Sequence, residues 1–174
     1  MAISIDCDLC VIRSWQQEDE LTLPYHGNNK AIWLNVRDRF PHPYTPADAH
    51  QWIESVLGAC PETSLAITVG GEAVGGIGLE LHDDIGRCAA EVGYWIGQTY
   101  WGRGIVTEAL KAFTKHAFGE FELSRLYALP FAHNRGSCRV LEKAGYQCEG
   151  IMRRSAIKDG EIVDQALYAA FPTI

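Results

Sequence analysis

Hydrophobic positions along the chain change period several times, and those changes divide it into elements. Asp8–Arg13 alternates apolar and polar residues, as a strand does. Trp15–His26 is acidic with scattered apolar positions, and Asn28–Val36 reads as a second short helical stretch. Arg37–Tyr44 holds two prolines and reads as a constrained loop. Thr45-Pro46-Ala47-Asp48 is a helix start, with a Thr cap, a Pro in the first turn and an acid behind it. Trp52, Ile53, Val56 and Leu57 then follow at helical spacing. Ser64–Val69 and Glu72–Leu81 are strand-like runs joined by the hairpin turn Gly70-Gly71. A polar turn at His82–Gly86 leads to a third strand, Cys88–Ile96, completing an antiparallel meander. Past the glycine-rich stretch Gly97–Gly104, Val106, Ala109, Leu110, Phe113 and Ala117 share one face of a long helix. Leu123–Leu129 reads as a strand and Asn134–Ala144 as a helix closed by Gly145. Tyr146–Ile157 and Glu161–Ala170 form a final hairpin across Lys158-Asp159-Gly160. The expected class is α+β: a mixed, mostly antiparallel central sheet of about seven strands, flanked by helices on both faces.

Composition narrows this reading. A chain of 174 residues suits one domain, so residues 1–174 are read as a single unit. With 47% hydrophobic and 21% charged residues it has the makings of a core and is not a disordered chain. The net charge of −7 argues against nucleic acid as a partner. No apolar run approaches the roughly 20 residues of a membrane span, and the acidic start lacks the positive charge of a secretion signal. The expected location is cytoplasmic, with no membrane partner. Residues 1–87 carry −8 and residues 88–174 carry +1. The near-neutral half suits an anionic cofactor and the acidic half a cationic substrate, although chance alone accounts for the asymmetry as readily.

Of six cysteines only Cys7 and Cys10 form a C-x-x-C, with no second pair or nearby His to complete a zinc set, so no metal is expected. On a strand the two thiols point to opposite faces, which reads as buried free cysteines.

The chemistry concentrates where the strand ending at Ile96 passes through the glycine-rich loop into the helix. Glycines let a ligand approach the backbone, and free N–H groups at a helix start hold anions. A phosphate or pyrophosphate therefore belongs at Gly102–Thr107. The loop has no P-loop lysine, lacks the third glycine of a dinucleotide fingerprint and follows an antiparallel meander. A tight turn with no ligand is the alternative on glycine spacing alone.

Two segments together carry a resemblance: Tyr100-Trp101-Gly102-Arg103-Gly104-Ile105-Val106-Thr107-Glu108-Ala109, and Asn134 through Tyr146 with Ser137, Lys143 and Gly145. They resemble the GNAT acetyltransferases, in particular the RimJ/RimL branch that acetylates ribosomal-protein N-termini. Leu9–Trp15, Pro43-Tyr44-Thr45 and Trp52-Ile53 are also similar to that branch. The resemblance implies acetyl-coenzyme A as cosubstrate. It places the pyrophosphate on Thr99, Tyr100, Trp101, Gly102, Arg103, Gly104, Ile105, Val106 and Thr107. The pantetheine arm would lie in a gap splayed beside Tyr94, Trp95 and Ile96, with Asn134 bonded to it. Arg139 either meets the coenzyme phosphates or is a solvated helix-flank charge. The tyrosine that many relatives use as general acid is Leu141 here, so Ser137 is the candidate donor to the leaving thiolate.

Acyl transfer to an amine also needs a base and an oxyanion donor. Glu91 is either that base, acting through water, or a surface carboxylate that sets the local field. Alternation puts it on one face with Gly93 and Trp95, opposite Val92 and Tyr94. A main-chain N–H near Tyr94–Ile96 is the expected oxyanion donor. Direct transfer requires neither Cys88 nor Cys138 as a nucleophile. Acceptor contacts are expected from Trp33, Arg37, Phe40, Tyr44 and Glu91. The expected reaction is acetylation of a primary amine, either a protein or peptide N-terminal α-amine or a small cationic amine, by a monomer or homodimer. A non-catalytic acyl-coenzyme A-binding module is the rival from another class.

Overall fold

Turns and caps decide where the chain reverses, and the computed structural model shows them for residues 2–172. Met1, Thr173 and Ile174, which the sequence reading included in the same unit, lie outside the described residues. The elements are β1 (Ser4–Asp6), β2 (Val11–Arg13), α1 (Leu23–Gly27), α2 (Lys30–Trp33), α3 (Pro46–Val56), β3 (Ser64–Val69), β4 (Glu72–Leu81), β5 (Ala89–Ile96), α4 (Ile105–Glu120), β6 (Arg125–Ala128), α5 (Arg135–Lys143), β7 (Gln147–Lys158) and β8 (Glu161–Ala170). Among the described residues eight strands form one sheet, in the order β1-β2-β3-β4-β5-β6-β8-β7. Every neighbouring pair is antiparallel except β5 and β6. A parallel pair needs a crossover, and α4 supplies it.

The eighth strand corrects the sequence reading. Asp8–Arg13 is not one strand: β1 and β2 form a small hairpin around a bend at Asp8-Leu9. The amide of Cys7 donates to the carbonyl of Cys10 at 2.9 Å, so the two cysteines oppose each other across a turn instead of alternating along a strand. Burial, with the neighbouring Cys7 adding to it, pushes the Cys10 thiol up to about 12.

Helices cover both faces because each central strand is apolar on both sides. In β3, Leu65 and Ile67 enter a core shared with α4 and α5, whose Leu110, Phe113 and Leu141 are buried there. Ala66, between them, faces the other layer, where Trp15, Leu23, Tyr44 and Ile53 pack. Burying a side chain of this size contributes roughly 1.5–3 kcal/mol, so both layers are secured by their own apolar contacts. The cap read at Thr45 is present: Thr45 Oγ1 accepts from the Asp48 amide at 3.3 Å, and Asp48 Oδ2 accepts from the Thr45 amide at 2.7 Å.

One departure from regular pairing positions the site. The β5–β6 ladder runs only through Ala89↔Arg125, Ala90↔Leu126 and Glu91↔Tyr127. Beyond Glu91, β5 continues to Ile96 beside β4 alone, and the two parallel strands part. The backbone edge of Val92–Ile96 thus faces an opening between β5 and the segment leading into α5.

Candidate active site

The helix after the glycine-rich loop begins without a side-chain cap. Gly104 occupies the capping position at φ 80°, ψ −2°, a left-handed conformation that costs an L-residue but not glycine. The N–H groups of Ile105, Val106 and Thr107 precede any acceptor within the helix and emerge at its positive end. The loop is tied down by Trp101, whose Nε1 donates to the Ile96 carbonyl at 3.0 Å. Behind it, β4 backs closely onto β5: a Cβ on Gly75 would lie 2.2 Å from the Trp95 carbonyl oxygen, so only glycine fits there.

A cavity of about 650 Å³ opens over this helix start. Its walls include Tyr94, Trp95 and Ile96 from β5, Tyr100, Trp101, Gly102 and Gly104 from the loop, and Ile105, Val106 and Thr107 from α4. Asn134, Ser137 and Arg139 close it from the α5 side. Thr99 and Arg103 stand in the same loop but are exposed and line neither cavity; the Arg103 guanidinium lies over the Tyr100 ring at 5.4 Å.

Lys143 also lines this cavity, one helical turn beyond Arg139 on the same face of α5. That spacing was readable in the sequence. Ile32, Asn35 and Val36 line it from α2 and the residues just after it, and no local pattern marks them.

The start of α5 is held by Asn134, whose Oδ1 accepts from the Ser137 amide at 3.1 Å. Ser137 is fixed at a second atom: its Oγ lies 2.8 Å from the Tyr94 hydroxyl of β5. Burial pushes the Tyr94 phenol well above its ordinary range, and the Ser137 hydrogen bond opposes that shift only in part. Leu141 is fully buried in the core, so its place on α5 offers no polar group to the cavity.

A larger cavity, about 860 Å³, lies on the α1–α3 side of the sheet. Arg37, Phe40, Tyr44 and Glu91 line it, as do Arg39, Glu80, Trp15 and Trp52. Alternation along β5 holds: Val92 and Ile96 enter the α4–α5 core, while Trp95 packs edge-on against Phe40 at 5.1 Å on the opposite face. Glu91 is ion-paired with Arg37, which also reaches Glu80 at 3.1 Å. These carboxylates keep the Arg37 guanidinium raised against the opposing effect of its own burial.

Trp33 is not brought to either cavity. It stacks on His42 and carries Lys158 Nζ 4.0 Å from its ring centroid. Cys88 is exposed at the foot of β5, and Cys138 is buried in α5 with its thiol pushed up by burial, which favours the thiol over the thiolate.

The two cavities share Asn35, Val36, Tyr94, Trp95 and Ser137. An uncapped helix start at one end, a parted strand pair in the middle and a carboxylate-lined chamber at the other make one continuous site. The chain belongs to the GNAT acetyltransferase family: the family model described as an acetyltransferase (GNAT) domain matches residues 10–147. It is similar to YjcK of Bacillus subtilis strain 168, named as a probable N-acetyltransferase, with 40% identity over 80 residues, 46% of this chain and 44% of that protein. The match thus spans less than half of that relative's length. Among solved structures it resembles RimL, ribosomal L7/L12 alpha-N-protein acetyltransferase, in complex with coenzyme A (TM-score 0.85, 18% identity, 97% of this chain and 98% of that one). It also resembles Mycobacterium smegmatis RimJ in complex with coenzyme A disulfide (TM-score 0.83, 20% identity, 98% of this chain and 86% of that one). At these identities the likeness is one of fold.

Proposed function

We propose that this protein is an acetyl-coenzyme A-dependent N-acetyltransferase that acts directly on a primary amine, with a protein or peptide N-terminal α-amine as the acceptor. The observation that carries the reading is the meeting of the two cavities at Tyr94, Trp95 and Ser137. A thioester entering from the α4 side and an amine entering from the α1–α3 side come together there, beside Asn35 and Val36.

The residues present suit the cosubstrate. Uncapped N–H groups at Ile105–Thr107, with Arg139 and Lys143 on the facing wall, match the charge of a pyrophosphate and a ribose phosphate. Beyond Glu91 the edge of β5 has no strand partner, and apart from the Ile96 carbonyl held by Trp101 its backbone groups are offered to an amide-bearing arm. Bound there, acetyl-coenzyme A supplies an activated acetyl thioester. Glu91 accepts the amine's proton through water, a main-chain N–H near Tyr94–Ile96 stabilises the oxyanion by about 3 kcal/mol, and Ser137 donates to the departing sulfur.

The name of RimL, a ribosomal L7/L12 alpha-N-protein acetyltransferase, and that of a ribosomal-protein-S5-alanine acetyltransferase from Vibrio fischeri support the choice of a protein α-amine. A small cationic amine is the second reading. It is favoured by the walls of the larger cavity, where Asp48, Glu62, Glu80 and Glu91 outnumber Arg37 and Arg39.

Thermal unfolding with acetyl-coenzyme A, coenzyme A, ATP and NAD in parallel tests the cosubstrate. A ligand at 100 times its Kd stabilises by about 2.7 kcal/mol. Stabilisation by the coenzyme A compounds alone is expected, and stabilisation by ATP or NAD alone overturns the reading. Thiol release with a panel of N-terminal peptides, polyamines and free amino acids then separates the two acceptor classes. Binding without release on any amine would mark a non-catalytic acyl-coenzyme A module.

A further inference from the structure

We infer that Tyr94 is a positioning residue for the leaving group: its hydroxyl donates to Ser137 Oγ and thereby aims the Ser137 hydrogen at the departing sulfur of coenzyme A. The inference rests on the reading of Ser137 as the thiolate donor and adds what makes that serine competent. A serine in the first turn of a helix has a free rotor, and such hydroxyls commonly bond to nearby main-chain groups. Here Ser137 Oγ lies 2.8 Å from Tyr94 Oη instead, on a strand 43 residues earlier. The phenol has one proton and two acceptors in reach, the Ser137 carbonyl oxygen at 3.3 Å and Ser137 Oγ at 2.8 Å, and Oγ is the nearer. With its amide already committed to Asn134 Oδ1, Ser137 has one polar hydrogen left to offer a ligand.

Direction follows from acidity and placement. A phenol is a stronger hydrogen-bond donor than an aliphatic alcohol, so the Tyr94 proton lies toward Ser137. The serine hydrogen is then free to point elsewhere. Both residues line both cavities, so the direction left open is toward the place where the cavities meet. Burial holds the phenol raised, so Tyr94 stays protonated and acts as a fixed donor, not a proton carrier.

In the transfer step the amine nitrogen forms the new C–N bond and sulfur leaves with the electron pair of the C–S bond. The amine's proton passes by way of Glu91 and water to solvent. Ser137 hydrogen-bonds the thiolate, and neither hydroxyl changes its protonation state.

The test reads the thiol of bound coenzyme A by the ultraviolet absorbance of its thiolate as pH is varied, in the wild type, Ser137→Ala, Tyr94→Phe and the double variant. No acceptor is needed. The wild type is expected to hold the bound thiol below its value in Ser137→Ala by about one pH unit, a tenfold change in ionisation. Tyr94→Phe should lose most of that difference, and the double variant should match Ser137→Ala. Turnover, once an acceptor is known, should fall about tenfold in Tyr94→Phe through kcat, with the KM for acetyl-coenzyme A unchanged.

A shift in Ser137→Ala with none in Tyr94→Phe overturns this inference and leaves Ser137 as the donor. No shift in either variant overturns both assignments, and failure of coenzyme A to bind the wild type overturns the function itself. Incorporation of 3-fluorotyrosine gives a reading that needs no variant. A more acidic phenol at Tyr94 should lower the bound thiol further, and an unchanged thiol counts against the inference.

Discussion

Lys158 Nζ lies 4.0 Å from the centroid of the Trp33 ring and 2.8 Å from Asp38 Oδ1, although 120 residues separate Lys158 from Asp38. The lysine is 4% exposed while the Asp38 side chain is 75% exposed. The contact therefore clasps the tip of the β7–β8 hairpin to the segment between α2 and α3. That segment carries Arg37, Arg39 and Phe40 along the larger cavity. Lys158→Met keeps the apolar stem and removes the charge, which is expected to cost about 0.5–2 kcal/mol. Trypsin should then cut faster after Arg37 and Arg39, as read by mass spectrometry, while Lys158→Arg retains most of the protection. Equal cleavage in Lys158→Met and wild type would show that the clasp does not hold the segment.

Arg37 sits on Glu91, the proposed base. Glu91→Gln is expected to lower kcat by about 10²-fold or more, the usual contribution of a general base, with little change in the KM for acetyl-coenzyme A. Steady-state thiol release against a responsive amine measures it. A Glu91→Gln enzyme with full turnover would leave Glu91 as an electrostatic wall of the acceptor chamber.

Gly104 holds the backbone turn on which the anion cradle depends. An added Cβ would lie 3.5 Å from Leu9 Cδ1, which is ordinary contact, so the penalty of Gly104→Ala comes from its φ of 80°. That penalty is about 1–2 kcal/mol. Gly104→Ala should lower Tm by several degrees and weaken coenzyme A binding in calorimetric titration. An alanine variant that binds coenzyme A as tightly as the wild type would separate the turn from the cradle.

His50 offers a pH signature of the α3 layer. Its Nδ1 lies 2.8 Å from Glu20 and its Nε2 3.4 Å from Glu54, and the hydrogen bond to Glu20 is the larger cause that raises it above 6.5. A raised folded-state value means the contribution is complete below the unfolded value and is lost as pH rises through the folded one. The Tm advantage of the wild type over His50→Gln should therefore be fullest at pH well below 6.5 and shrink as pH rises through the higher folded-state value. The effect is small because the His50 side chain is exposed, and 1 M salt should reduce it. A Tm difference that grows with pH contradicts the assignment.

Much of this was legible in the chain because the forces involved are local. Thr45 and Asp48 cap α3 with atoms three residues apart. Gly145 closes α5 at φ 92°, and Asp159-Gly160 turns β7 into β8. The uncapped start of α4 follows from the glycines that precede it. Each is a short-range preference that any tertiary context would have to overcome at a cost. The β1–β2 hairpin was hidden because three-residue strands carry too few alternations to be seen, and pairing with β3 is what stabilises them. The convergence of Tyr94 on Ser137, Arg37 on Glu91 and Lys158 on Trp33 had no local signature. These partners lie 43 or more residues apart, and what brings them together is the order of the sheet and the parting of β5 from β6. The sequence by itself determined most of the elements, the glycine turn ahead of α4 and the faces on which the β5 residues lie. Only the tertiary structure decided which side chains meet, because long-range packing selects contacts that no preference along the chain encodes.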